Sequence, residues 1–197
     1  MSAGRLYAVR HGRTAGNGVR YVGQGDEPLD DVGRAQAAAL ADRLGSEPIA
    51  VVYSSPLHRA LDTARPFAAR CGAEVRVRPG LMEIDYGAYQ DVLKAERSLK
   101  LKRNHRVDPM PGGESLRDVF DRVGGVLGEL RPELGSGLAV AVVAHFWSLR
   151  MLVGRLAGLS FDAVLEHGEY APENASVWRL DVAADGDALR VVEAAWA

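Results

Sequence analysis

The chain has 197 residues, 47% of them hydrophobic and 25% charged, which is the balance of an ordinary soluble protein with one sizeable domain. Its formal net charge of −2 makes no global case for binding nucleic acid or a membrane. The lone Cys71 excludes an internal disulfide and a multi-cysteine metal site, which suits a reducing cytoplasm.

Residues 1–9 hold no long apolar segment, so a signal peptide is not expected, and no stretch approaches the roughly 18 apolar residues of a membrane span. Residues 6–9 read as a strand that stops at Arg10, His11 and Gly12. "DDVGRAQAAALADRL", 30–44, reads as a helix capped by Asp30 or Asp31, with Val32, Ala35, Ala39 and Leu40 on one face. "AVVYSS", 50–55, is β-rich. "LHRALDTARPFAARC", 57–71, returns to a helical period, with Pro66 as a point for a kink. "AEVRVRP", 73–79, alternates as a strand does. Residues 114–134 are helical despite Gly124, Gly125 and Gly128. "LAVAVVAH", 138–145, is a strand apolar on both faces, and 148–159 is a helix. Strands at 176–182 and 188–196 close the chain as a hairpin about "ADGD".

Strand–helix alternation predicts an α/β fold, a three-layer sandwich whose mainly parallel central sheet carries helices on both faces, in one domain over 1–197. Residues 84–113 fit the alternation worst and are expected as an excursion over the sheet edge and the site. They concentrate Lys94, Arg97, Lys100, Lys102, Arg103 and Arg106, either a solvated helix face or a cationic lip facing substrate.

Ligands of parallel sheets bind beyond the carboxyl ends of the strands. Three such ends are polar here: Arg10-His11, Ser54-Ser55 followed by Arg59, and His145. Two histidines and two arginines at strand tips point to a phosphate site, because guanidinium forks fit phosphate oxygens and a neutral imidazole can attack phosphorus. Neighbouring arginines disfavour the imidazolium. Gly12 lets the backbone approach an anion. A carboxylic acid can protonate the leaving oxygen. Taken singly, Arg59 reads first as a surface cation, Glu83 beside Asp85 is a weak signal that a loop carboxylate would also give, and His145 reads also as a core histidine. His58, His105 and His167 read as non-catalytic. No metal-ligand spacing, dinucleotide glycine pattern, phosphate-binding loop motif or nucleophile elbow occurs.

"VRHGRTAGN" resembles the N-terminal signature of the histidine phosphatase superfamily, also called phosphoglycerate mutase-like. "GQGDEPLDDVGRAQAAALADRL", "VVYSSPLHRALDTA", "LMEIDYGAYQ", "PGGESLRDVFDRV", "VVAHFWSLRMLVGRLAGL" and "NASVWRL" are similar to its later segments, in the family's order. The resemblance implies His11 as the phosphorylated nucleophile and Glu83 as the acid that later activates water. It implies Arg10, Arg59 and His145 as phosphoryl ligands, helped by the Asn17 amide. It implies a metal-independent phosphomonoesterase that needs no cofactor and acts on a small phosphorylated metabolite. A phosphoglycerate mutase, or a weakly catalytic module that binds phosphorylated ligands, are the alternatives. Homodimerisation stays open. Arg13 replaces the family's usual acidic or amide residue, and Phe146 replaces the glycine usual after the second histidine.

Overall fold

The computed structural model describes residues 4–166, 171–185 and 188–196. His167 and residues 186–187, part of the expected hairpin turn, lie outside them. Six strands form one sheet: β1 (Gly4–Arg10), β2 (Ile49–Ser54), β3 (Glu74–Val77), β4 (Ala139–Ala144), β5 (Val177–Asp185) and β6 (Ala188–Trp196), in spatial order β3-β2-β4-β1-β5-β6. The first four in that order run parallel, while β5 pairs antiparallel with β1 and β6 with β5. The expected mainly parallel α/β sandwich is the fold observed.

Strand alternation sorts the core into two layers. Leu6, Ala8, Val51, Tyr53, Val140 and Val142 face α4 (Leu116–Gly135), α5 (Phe146–Leu156) and α6 (Phe161–Glu166). Tyr7, Val9, Val52, Ala141 and Val143 face α1 (Asp31–Leu44) and α2 (His58–Cys71). All six residues of β4 are buried, which is why its sequence is a continuous apolar run. The α2 helix runs through Pro66 and ends at Gly72, whose φ of 67° suits a residue without Cβ. Ser115 caps α4 in a reciprocal box with Asp118.

Three differences from the sequence reading matter. The buried face of α1 is Gly33, Ala37, Leu40, Ala41 and Leu44, whereas Val32, Ala35 and Ala39 are exposed. Close approach sets this phase: a Cβ on Gly33 would lie 2.0 Å from the Arg13 carbonyl oxygen, and one on Gly12 would lie 2.6 Å from the Gly33 carbonyl oxygen. Gly12 therefore serves the packing of α1 on the strand-tip loop. Its N–H donates to Thr63 Oγ1 at 2.9 Å and is not turned to an anion. The second difference is that α5 begins at Phe146, two residues earlier than expected, with His145 as its N-cap.

The third concerns residues 84–113. They hold the short α3 (Leu101–Asn104) and bury Ile84, Tyr86, Leu99 and Met110 in the α4–α6 layer. Backbone bonds Tyr21 to Val92, Asp91 to Tyr21 and Lys94 to Val19 tie them to the loop after β1, across the strand ends. Three cations of the basic run have partners of their own among the described residues. Arg97 lies over the Tyr89 ring, Lys102 donates to the Leu165 carbonyl and Arg106 pairs with Asp162.

The packing yields a paired prediction. Gly33→Ala forces backbone apart and should lower stability by about 1–3 kcal/mol, as overpacking does. Gly128→Ala, on an exposed face of α4 with nothing within 4 Å of its Cβ, should raise stability by up to about 1 kcal/mol. Thermal melting of the two variants checks both signs.

Candidate active site

The carboxyl ends of β1, β2 and β4 converge as the topology requires. A cavity of about 610 Å³ opens there, and its wall includes Arg10, His11, Asn17, Arg59, Glu83 and Phe146. Five of the six sequence-nominated residues thus share one cavity.

His11 is buried at the tip of β1. Its Nδ1 lies 2.7 Å from the Gly12 carbonyl oxygen, an acceptor only, so Nδ1 carries the hydrogen and Nε2 keeps its lone pair. Burial holds the ring well below the ordinary imidazole range, and the charges of Arg59 and Arg10 push it further down. A neutral imidazole with an open Nε2 is the form that can attack phosphorus.

His145 is wholly buried, its ring centroid 4.9 Å from that of His11. Arg59 Nε donates to its Nδ1 at 3.2 Å, which places the hydrogen on Nε2, 2.8 Å from Ser55 Oγ. Both ring nitrogens are engaged by protein, and His145 is not among the residues lining the cavity. Burial, then Arg59, also hold His145 well below its ordinary range.

Arg59 sits in the first turn of α2 and is buried. Its Nη1 and Nη2 donate to the carbonyls of Gly25 and Gly23, each at 2.6 Å. Each nitrogen retains a second hydrogen for another acceptor. Arg10 bonds through Nη1 to the Pro172 carbonyl at 2.7 Å. Asn17 Oδ1 accepts from Thr14 N–H at 2.9 Å and from Asn174 Nδ2 at 3.1 Å, so the Asn17 NH₂ is left to donate.

Glu83 follows from how α5 starts. The first-turn N–H groups of a helix have no partner within it. Trp147 N–H donates to Glu83 Oε1 at 3.1 Å, and Ile84 N–H to the same oxygen at 3.0 Å. The Glu83 carbonyl is held by Arg122 Nη2 at 3.0 Å and Gln24 Nε2 at 3.2 Å, which fixes the residue in the wall. Burial raises its carboxyl above the ordinary range, with Ile84 N–H and the charges of Arg10, Arg59 and Arg122 pulling the other way. Such a carboxyl can hold a proton and release it.

Sequence reasoning missed the segment before β5. Asn174 Nδ2 donates to the His11 carbonyl at 3.1 Å as well as to Asn17. Ala175 N–H reaches the carbonyls of Arg10 and His11 at 3.1 and 3.2 Å, with φ of 58°, a left-handed conformation costly for alanine. Pro172, Asn174 and Ala175 together strap the strand tip. The signal available was polar Asn174 immediately before an apolar strand, at the head of the family-like stretch "NASVWRL". The two departures also find places: Arg13 pairs with Asp30 at the rim, and Phe146 lies beneath Arg10. Of the basic run, Lys94 lines the cavity.

The two neutral histidines bear on stability. Unfolded imidazoles protonate near pH 6.5, while these buried rings resist protonation. The unfolded chain then binds more protons, so stability falls as pH drops below about 6.5, by up to about 1.4 kcal/mol per pH unit for each ring. Glu83 acts oppositely, its contribution being present at low pH and lost as pH rises through its raised folded value. Melting temperature should drop between pH 7.5 and 5.5, with a shallower slope in His11→Gln. A flat profile would contradict the neutral burial of both rings.

Residues 6–194 match the sequence profile of the histidine phosphatase superfamily (branch 1). Phosphoserine phosphatase 1 of Hydrogenobacter thermophilus is 34% identical over 173 residues, covering 83% of this chain and 81% of that protein. The probable phosphoglycerate mutase GpmB of Photorhabdus laumondii is 32% identical over 200 residues, covering 92% of this chain and 93% of its own. A mycobacterial glucosyl-3-phosphoglycerate phosphatase superimposes with a TM-score of 0.81 at 31% identity, covering 96% of this chain and 97% of the other. With the profile spanning nearly its whole length, this chain belongs to the histidine phosphatase superfamily, branch 1, and is a phosphatase of the histidine type.

Proposed function

We propose that the protein is a metal-independent phosphomonoester hydrolase that works through a phosphohistidine on a small phosphorylated metabolite. One observation carries this reading: His11 Nδ1 lies 2.7 Å from the Gly12 carbonyl oxygen, which leaves the Nε2 lone pair for phosphorus, while burial and two arginines disfavour the charged ring. Such a nucleophile needs no metal to expose its lone pair.

The Nε2 lone pair attacks phosphorus and the bond to the leaving oxygen breaks. Glu83 gives that oxygen its proton. Arg10, Arg59 and the Asn17 amide offer donors to the oxygens over which the transferring group spreads its charge. His145, between Arg59 and Ser55, reaches a phosphoryl oxygen only by turning its Nε2–H away from Ser55. In the second half, water attacks phosphorus and the P–N bond breaks. The Glu83 carboxylate takes the proton from that water, and His11 returns to its neutral form. A mutase would use the same groups and return the phosphoryl group to substrate. That reading draws support from the GpmB relative.

Quenching turnover of a ³²P-labelled substrate should trap an acid-labile, base-stable label on the peptide containing His11. Label elsewhere, or full activity in His11→Ala, would sink the mechanism. EDTA should leave turnover intact.

Glu83→Gln should slow single-turnover cleavage of a sugar phosphate by about 10²–10⁴-fold. It should affect p-nitrophenyl phosphate far less, because that phenolate leaves without a proton. Equal losses on both substrates would remove Glu83 as the acid.

A further inference from the structure

Phe146 stands at the first position of α5, directly after His145. Its ring centroid lies 5.5 Å from Arg10 Cζ, and it packs edge-to-face with the Trp147 ring, the centroids 5.1 Å apart and the planes at 88°. Phe146, Trp147 and Arg10 all line the cavity.

Arg10 needs what the ring supplies. Among the described residues its guanidinium has a single hydrogen bond, from Nη1 to the Pro172 carbonyl, and its buried Nε has no partner. One anchor at the end of a long side chain leaves the plane of the fork free to rotate about it. A cation within about 6 Å of an aromatic face is attracted by the ring quadrupole, more strongly when desolvated. The edge-to-face contact with Trp147 fixes the angle of the Phe146 ring itself.

We propose that Phe146 is a positioning residue. Its ring face is the second anchor of Arg10, holding the guanidinium where it receives phosphoryl oxygens, and so Phe146 sets the oxyanion affinity of the site. This rests on the reading of the cavity as a phosphoryl site. Phe146 touches no reacting atom and acts through Arg10. Simple apolar filling is the competing role, and a leucine of similar bulk would fulfil it.

The test is binding of inorganic phosphate by calorimetry, together with KM and kcat for p-nitrophenyl phosphate, in wild type, Phe146→Leu and Phe146→Tyr. The leucine variant keeps apolar contact and loses the π face. Its phosphate affinity should fall about 5- to 30-fold, with KM rising in parallel. The tyrosine variant keeps the face and should stay within about threefold of wild type. Phe146→Met replaces the leucine variant if that one does not fold. A leucine or methionine variant that binds phosphate like wild type overturns the proposal, as does a tyrosine variant that loses as much as leucine. Wild type that binds no phosphate overturns the phosphoryl-site reading, and the proposal with it.

Discussion

The site turns on one hydrogen bond, from His11 Nδ1 to the carbonyl of the next residue. A histidine at a buried strand tip among two arginines cannot carry charge cheaply, so it is neutral, and a neutral imidazole has two tautomers. The Gly12 carbonyl accepts and never donates, which selects the tautomer with the lone pair on Nε2. Had the ring faced a donor at Nδ1, the same side chain in the same fold would have presented a hydrogen where the chemistry needs electrons.

The scaffold repeats that logic of forced partners. His145 is fixed in the opposite tautomer because Arg59, which can only donate, occupies its Nδ1. Glu83 is drawn to the start of α5 because the first-turn N–H of Trp147 lacks a helical acceptor. The strand tip carrying His11 projects past the sheet, so its carbonyls need donors from elsewhere. Ala175 N–H and Asn174 Nδ2 supply them, at the cost of a left-handed alanine. Backbone strain of this kind persists where the surrounding bonds over-determine it.

Much of this was legible in the sequence, because the informative features were local. Strand runs ending in Arg10-His11, Ser54-Ser55 and His145 mark the β1, β2 and β4 tips, and the alternation with helices places those tips together. What was not legible depended on contacts between distant segments. The phase of α1 followed the apolar residues Val32, Ala35 and Ala39 on paper, but in the fold it follows Gly33, where two backbones meet. Gly12 reads as an anion-facing glycine until Thr63 is seen to take its N–H. An aromatic pair after a histidine carries no cap signal, so the sequence starts α5 two residues late and hides the link from Trp147 to Glu83. The cations of 94–106 form a patch in sequence, yet partners such as Tyr89 and the distant Asp162 disperse them. Asn174 carries a structural duty, holding the strand tip and Asn17, that no spacing rule announces.

Nitrogen-15 NMR of the ring nitrogens, with His11 assigned by comparison with His11→Gln, tests the central claim most directly. At pH 6, His11 should show the pattern of a neutral ring protonated at Nδ1, with an unprotonated Nε2. A charged His11 ring at that pH, or one protonated at Nε2, would contradict the account.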